Sequence, residues 1–413
     1  MIARVDDVSA ALAELAVLGA TDAGIDRALF TPAEHAARER FAAWARACGA
    51  RVEQDRAGNL FARRGGRDAA RAPIQCGSHL DTVKGGGAYD GAYGVVAGLA
   101  VLAQLAREGT PTESPIEVVA WAGEEGSRFP VGTLGSSVYA GITPYERAAE
   151  LRSADDGERF ADAFEGPYGA LGDVPVREST QPPAAYVELH VEQGPVLEAA
   201  GARLGIVSAI AGQRRFIVQL HGVAGHAGTV PMDERSDALA AAAEVVLRLE
   251  RLAFGAGECV ATVGAIVVEP NQANVIPGSA TLRAEIRAPR DATLETVSGE
   301  LRAACAEIGA RRGVRVTLEE TERRDAVAMD PALTAIVGDV CRELDSRALP
   351  IVSGAGHDAM CIARIAPAAM IFVPSAGGRS HVAEEHTDPA DLALGVRALA
   401  ATVLAFDRHL TKS

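Results

Sequence analysis

The chain has 413 residues, 48% of them apolar, which at about 150 residues per domain is enough for two or three domains with cores of their own. Small disulfide-stapled, collagenous and disordered classes are thereby excluded. Lys plus Arg number 40 against 55 Asp plus Glu, a formal charge of −15 that repels phosphate backbones and anionic membrane surfaces, so neither nucleic acid nor membrane is expected as a partner.

Residues 6–50 carry helical spacing, first through Leu12, Leu15 and Leu18, then from Pro32 to Ala47 with Thr31 as N-cap. Beyond the Gly58-Asn59 turn, short apolar runs at 73–77, 116–122, 185–189, 350–353 and 368–373 read as buried strands. Helical stretches at 94–108, 360–365 and 389–410 alternate with them, which predicts an α/β fold with a mainly parallel sheet. Residues 144–183 are polar and irregular and read as a long excursion with some helix. The segment 211–324 differs: strand 215–223, helix 236–253, strands 259–268 and 278–288, helix 292–312, strand 314–320. This β-α-β-β-α-β order predicts a ferredoxin-like α+β domain, 211–324, inserted into a discontinuous domain formed by 1–210 and 325–413.

The six cysteines, Cys48, Cys76, Cys259, Cys305, Cys341 and Cys361, are scattered without a C-x-x-C pair, which fits a reducing compartment. The first residues lack the regions of a signal peptide and no 18-residue apolar run follows, so a cytoplasmic location is expected. Three other features read as bland. Cys76 is packing, the GGG at 85–87 is too isolated to cradle a phosphate, and no G-x-S-x-G elbow supports Ser353, Ser375 or Ser380 as a nucleophile.

Four apolar runs end in histidine or acid: GSHLD (His79, Asp81), WAGEEG (Glu124, Glu125), ELHVEQG (His190) and FVPSAGGRSH (His381). In an open α/β sheet, ligands bind outside the carboxyl ends of the strands, so these side chains should converge on one crevice. With Asp90 from GGGAYDG, they form an imidazole and carboxylate set suited to a pair of divalent cations sharing a bridging acid. Glu124 and Glu125 point to opposite sides of an extended backbone, so one can bind metal while the other faces a substrate. Asp81 is placed to accept the other N–H of His79, fixing its tautomer.

Block after block, GSHLDTV, GGGAYDG, EEGSRF, HVEQGPVLE, GHAGTVPM, NVIPGSATLRAEIR, SGAGHDAM and SHVAEEHT resemble the M20-type metal-dependent amidohydrolases. Within them the chain looks most like the N-carbamoyl-L-amino acid hydrolase, β-ureidopropionase and allantoate amidohydrolase branch, over about residues 57–400. The resemblance implies that His79, Asp90 and His190 hold one metal, with Asp90 bridging, and that Glu125 and His381 hold the second. It gives Glu124 the part of general base. The S-H-x-x-x-E pattern selects His381 over His386. The peptide after the bridging aspartate is often cis in this family, which here would be Asp90-Gly91 at about 3 kcal/mol.

The same resemblance makes the insert a lid and dimerisation domain. His226 and Asn274 then stabilise the oxyanion, Arg287 grips a substrate carboxylate, and Gln193, Gln213 and Gly356 are further candidates for the pocket. Glu285 stands where aspartate is expected, two residues before Arg287. The implied activity is hydrolysis of the ureido C–N bond of an N-carbamoyl-L-amino acid or of allantoate, ureidoglycolate or β-ureidopropionate. The implied cofactors are two divalent metal ions per subunit, zinc or manganese, with cobalt and nickel also suiting the donors. The implied assembly is a homodimer through the lid domain. An aminoacylase or dipeptidase of the same superfamily is the alternative, and a catalytically silent ligand-binding homologue the remote one.

Overall fold

Two capped helices open the described chain. Asp7 accepts the Ala10 N–H at the start of Val8–Ala16, and Thr31 that of Glu34 at the start of Pro32–Ala47, where Pro32 has no N–H to leave unpaired. The computed structural model describes residues 7–177 and 181–412, so Asp6 and the stretch 178–180 of the irregular segment lie outside the described residues. The chain divides into two units, Met1–Ser208 with Met329–Ser413, and Ala209–Ala328.

The first unit is built on a mixed sheet. Its strands run in the order Gly205–Ile210, Ala368–Val373, Ala185–Val191, Ile74–His79, Ile116–Trp121, Leu60–Arg64, Arg51–Gln54, and Leu349–Ser353 pairs with Gly205–Ile210 off this path. The four central strands, Ala368–Val373 to Ile116–Trp121, are mutually parallel. They are buried along their whole length, which is why they appear in the sequence as unbroken apolar runs. Gly205–Ile210, Leu60–Arg64 and Arg51–Gln54 pair antiparallel, which corrects the expectation of a mainly parallel sheet. The reason is local. Residues 55–59 join Arg51–Gln54 to Leu60–Arg64 in a tight turn held by the Asp55 carboxylate on the Ala57 and Asn59 amides, whereas a parallel crossover needs a dozen residues or more.

Helices Ala92–Glu108 and Pro389–Lys412 pack in the main core with this sheet. Pro389–Thr411 is long and apolar enough to cross a membrane by length and composition, with a mean hydropathy of 1.5 over its best window, which corrects the expectation that no such run exists. Leu392, Leu399, Val403 and Phe406 are nevertheless buried in the core, each contributing about 1.5–3 kcal/mol of burial. The irregular 144–183 segment contains helices Tyr145–Ala149 and Phe160–Glu165. Phe160 and Phe164 pack with Phe30 in a satellite cluster.

In the second unit, strands are ordered Val260–Glu269, Ser279–Ala288, Gly212–His221, Arg315–Arg324, all antiparallel. With helices Ala238–Gly255 and Asp291–Arg312 this is a β-α-β-β-α-β unit. Alternation along Gly212–His221 and Ser279–Ala288 buries Phe216, Val218, Leu220, Leu282 and Ile286 against the helices. Arg215, Glu285 and Arg287 occupy the other face, which is less buried. The chain enters this unit at the end of Gly205–Ile210 and leaves it through Val327–Ala328, which pairs with Ala209 and Ile210.

Candidate active site

Parallel strands end at the same edge, and chemistry gathers there. His79 closes Ile74–His79, His190 lies at the end of Ala185–Val191, Glu124 and Glu125 follow Ile116–Trp121, and the loop after Ala368–Val373 carries His381. Strand register places His79 opposite Trp121 and His190 opposite Phe372. Asp90 comes from the loop after His79, one residue before Gly91.

Asp90 is the centre. Its Oδ1 lies 3.1 Å from His190 Nε2 and 3.5 Å from His79 Nε2, while its Oδ2 lies 3.3 Å from His381 Nε2. His381 Nε2 is also 3.6 Å from Glu125, and His79 Nε2 is 3.8 Å from Glu124. Candidate ligand atoms of His79, Asp90 and His190 lie within 4.8 Å of one another, as do those of Asp90, Glu125 and His381, so Asp90 belongs to both sets. A third grouping joins His79 with Glu124 and Glu125.

The tautomers are set by backbone. His79 Nδ1 donates to the Asp81 carbonyl at 3.0 Å, and His190 Nδ1 to the Val191 carbonyl at 2.8 Å. A carbonyl can only accept, so Nδ1 carries a proton in both rings and Nε2 is the nitrogen that faces Asp90. The Gly91 N–H donates to His190 Nε2 at 3.1 Å, consistent with that assignment. Burial alone would favour a neutral Asp90, but His190, His381 and His79 outweigh it and hold the carboxyl well below its usual range. Burial lifts Glu124 well above the usual carboxylate range, with Glu125, Asp358 and Asp81 adding to the effect against the pull of His79. Burial and then Asp90 raise Glu125 to about 7, and Asp90 pushes His381 up to about 9. The two glutamates are raised first by burial and then by neighbouring carboxylates. Divalent cations would offset that crowding of carboxylates, and the donor set fits them.

Asp81 acts differently from expectation. Its carboxylate is 3.7 Å from His79 Nδ1, and the imidazole is held instead by its backbone carbonyl. The two carboxylate oxygens accept the Glu124 and Glu125 amides, each at 3.1 Å. Consecutive N–H groups after the turn at Gly123 present a fork that a carboxylate fits better than a single ring nitrogen does. Asp81 therefore places both glutamates. The peptide after Asp90 is also not cis; among the described residues only Glu269-Pro270 is. Gly91 instead takes φ +63, and a Cβ there would fall 2.3 Å from the His79 ring.

Gln193 is brought to the site as well. Its Nε2 donates to Asp90 Oδ2 at 2.6 Å, while its Oε1 is buried without a partner. Gly356 is exposed in the loop before helix Ala359–Ile362, beside His357. The sequence reading missed His357, whose ring lies 4.6 Å from that of His190, and the buried acids Glu188 and Asp358 behind it. Glu188 accepts from Ser78, Tyr186 and the Ala359 amide. His357 and Asp358 stand inside the SGAGHDAM block, so a histidine-acid pair at a helix start was the available signal. His386 joins no ligand group; its ring packs edge-on against Tyr89.

The remaining candidates lie in the second unit. His226 pairs with Val275, and the Ala227 N–H donates to the Asn274 carbonyl at 3.0 Å, so the two predicted oxyanion donors sit on adjoining backbone. His226 Nδ1 accepts the Gly228 N–H at 3.1 Å, which leaves Nε2 as the donor nitrogen of the neutral ring. Gln213 and Arg287 face each other in register. Both bond the Glu285 carboxylate, which Arg215 also grips at 2.7 Å.

A sheet edge that presents a carboxylate shared among three imidazoles, with two further glutamates beside it, defines a metal-binding hydrolase site on an α/β fold. The chain belongs to peptidase family M20/M25/M40, whose family model matches residues 76–405. It is 34% identical over 410 residues to an N-carbamoyl-L-amino-acid amidohydrolase of Paenarthrobacter aurescens, covering 98% of this chain and 99% of that one. It is 39% identical to an allantoate amidohydrolase of Bacillus subtilis, covering 93% of each. Among solved structures, an amidase of the hydantoinase/carbamoylase family from Burkholderia multivorans superposes with a TM-score of 0.93 at 38% identity, covering 97% of each chain.

Proposed function

We propose that this chain is an amidohydrolase that cleaves the ureido C–N bond of an N-carbamoyl-L-amino acid or a related ureido acid such as allantoate, ureidoglycolate or β-ureidopropionate. The observation that carries the reading is Asp90, buried among the Nε2 atoms of His79, His190 and His381 beside Glu125 and Glu124. His79, Asp90 and His190 would hold one divalent cation, and Asp90, Glu125 and His381 a second. When bound, zinc or manganese, or equally cobalt or nickel, supplies Lewis acidity and lowers the pKa of water.

The chain's own residues do the rest. Glu124 takes a proton from the attacking water as its oxygen bonds to the ureido carbon. His226 and Asn274 donate to the developing oxyanion. Glu124 then returns the proton to the departing nitrogen as the C–N bond breaks, so an N-carbamoyl amino acid yields the free amino acid and carbamic acid, which breaks down in water to carbon dioxide and ammonia. Arg287, presented by Glu285, binds the substrate carboxylate, and Gln193 offers its unpartnered Oε1 to a substrate N–H; Gln213 and Gly356 are further proposed substrate contacts.

The second unit is proposed to serve as lid and dimerisation domain, with hinges near 208–212 and 322–326. Exposed Val260 and Val267 on its edge strand Val260–Glu269, and exposed Phe254 at the end of helix Ala238–Gly255, support a homodimer. The six thiols, none in a disulfide, are compatible with the proposed reducing, cytoplasmic setting. The deciding experiment is ammonia release from the four ureido substrates by metal-depleted protein reconstituted with each cation. Turnover of N-acyl amino acids or dipeptides with no release from any ureido substrate would overturn the reading.

A further inference from the structure

Glu385 lies four residues beyond His381, is 5% exposed, and belongs to no candidate ligand group. Its carboxylate nevertheless reaches the Asp90 segment, 295 positions away in sequence. Oε2 accepts the Tyr89 N–H at 2.8 Å and the Asp90 N–H at 3.1 Å. Oε1 accepts from Ser380 Oγ at 2.8 Å, and that same hydroxyl lies 2.9 Å from Asp90 Oδ2. The Glu385 amide donates to the Val382 carbonyl at 3.1 Å, closing a turn just after His381.

His381 needs such support. Its side chain is 50% exposed and its backbone takes a left-handed φ of +60, so packing alone does not hold it. The seat for the carboxylate is Gly87, where a Cβ would fall 2.2 Å from Glu385 Oε2 and 2.4 Å from Glu385 Cβ. The glycine run at 85–87, unsuited to phosphate, thus acquires a physical purpose. No arginine, lysine or histidine pairs with Glu385 among the described residues, so it works as a hydrogen-bonded staple rather than as half of an ion pair.

We propose that Glu385 is a positioning residue: seated on Gly87, it staples the Asp90 segment to the His381 segment and so assembles the Asp90, Glu125 and His381 cation position. This rests on the two-cation reading above. Residues that orient metal ligands typically change metal affinity 10- to 100-fold, about the size expected here.

The test titrates metal-depleted full-length protein with zinc against a chelating indicator, alongside circular dichroism and thermal melts. Glu385→Ala and Gly87→Ala should each weaken one cation about 10- to 100-fold and leave the other within a few-fold, the pattern of His381→Ala. Glu385→Gln, whose amide oxygen still accepts both N–H groups, should lose less. Folded Glu385→Ala and Gly87→Ala variants that bind both cations like the wild type would overturn the proposal. So would equal weakening of both positions in step with a lower melting temperature of the metal-free protein. Should those variants not fold, Ser380→Ala decides: weakening confined to one cation supports the staple, and unchanged affinity overturns it. A wild type that takes up a single cation refutes the two-cation reading on its own, and variants that match it at that position refute the staple.

Discussion

Replacing Glu124 by Gln removes a proton acceptor and little else. The side chain is 12% exposed, Gln has nearly the same volume, and the residue's position is set by its backbone N–H on Asp81, which the substitution keeps. The carboxyl group lies 3.8 Å from His79 Nε2, and an amide of the same shape keeps that neighbour without opening a cavity. A positioned general base contributes about 10²- to 10⁴-fold, or about 3–5 kcal/mol of barrier at 1.36 kcal/mol per decade. Glu124→Gln should therefore lower kcat by that factor, while metal content and melting temperature stay near wild type. The assay is ammonia release under saturating N-carbamoyl amino acid, with metal analysis on the same preparation. A kcat within about threefold of wild type at full metal content would refute the proton-transfer assignment, because no other step credited to Glu124 needs a carboxylate.

Three further outcomes are expected. Gly91→Ala forces a Cβ to within 2.3 Å of the His79 ring at a φ of +63, so it should abolish metal retention in a protein that still melts cooperatively; full retention on metal analysis would contradict the geometry. Arg287→Ala should raise KM for carboxylate substrates about 10- to 100-fold with a smaller effect on kcat, because Arg215 and Gln213 keep Glu285 in place; an unchanged KM in steady-state kinetics would remove Arg287 from the pocket. Burial raises Glu34 from 4.5 to about 7, so the folded state binds its proton more tightly than the unfolded chain does. Its contribution is greatest below pH 4.5 and is lost as pH rises to about 7. Glu34→Gln should flatten the fall of thermal stability across that window, and melts with the wild-type slope would show that Glu34 is not the group responsible.

Much of the site could be read from residue order, for a physical reason. Central strands buried on both faces must be continuously apolar, so Ile116–Trp121 and Ala368–Val373 announce themselves, and whatever polar group follows such a strand lies at its carboxyl edge. That logic located His79, Glu124, Glu125, His190 and His381. It failed for Arg51–Gln54 and Leu60–Arg64, where arginines interrupt the pattern, and hence for the antiparallel outer part of the sheet. It also failed for Asp81, because spacing shows that a carboxylate is near an imidazole but not that two backbone amides lie in better reach.

Residue order alone thus determined the chemical inventory and the alternation of elements, since burial and periodicity leave their mark on each segment separately. Tertiary structure alone decided which groups serve which. Glu385 meets Asp90 across nearly three hundred positions through a gap left by one glycine, and Glu188, on a strand, meets His357, in the loop before helix Ala359–Ile362, beside His190. Such pairings depend on distances of a few ångströms between segments whose local preferences carry no record of each other.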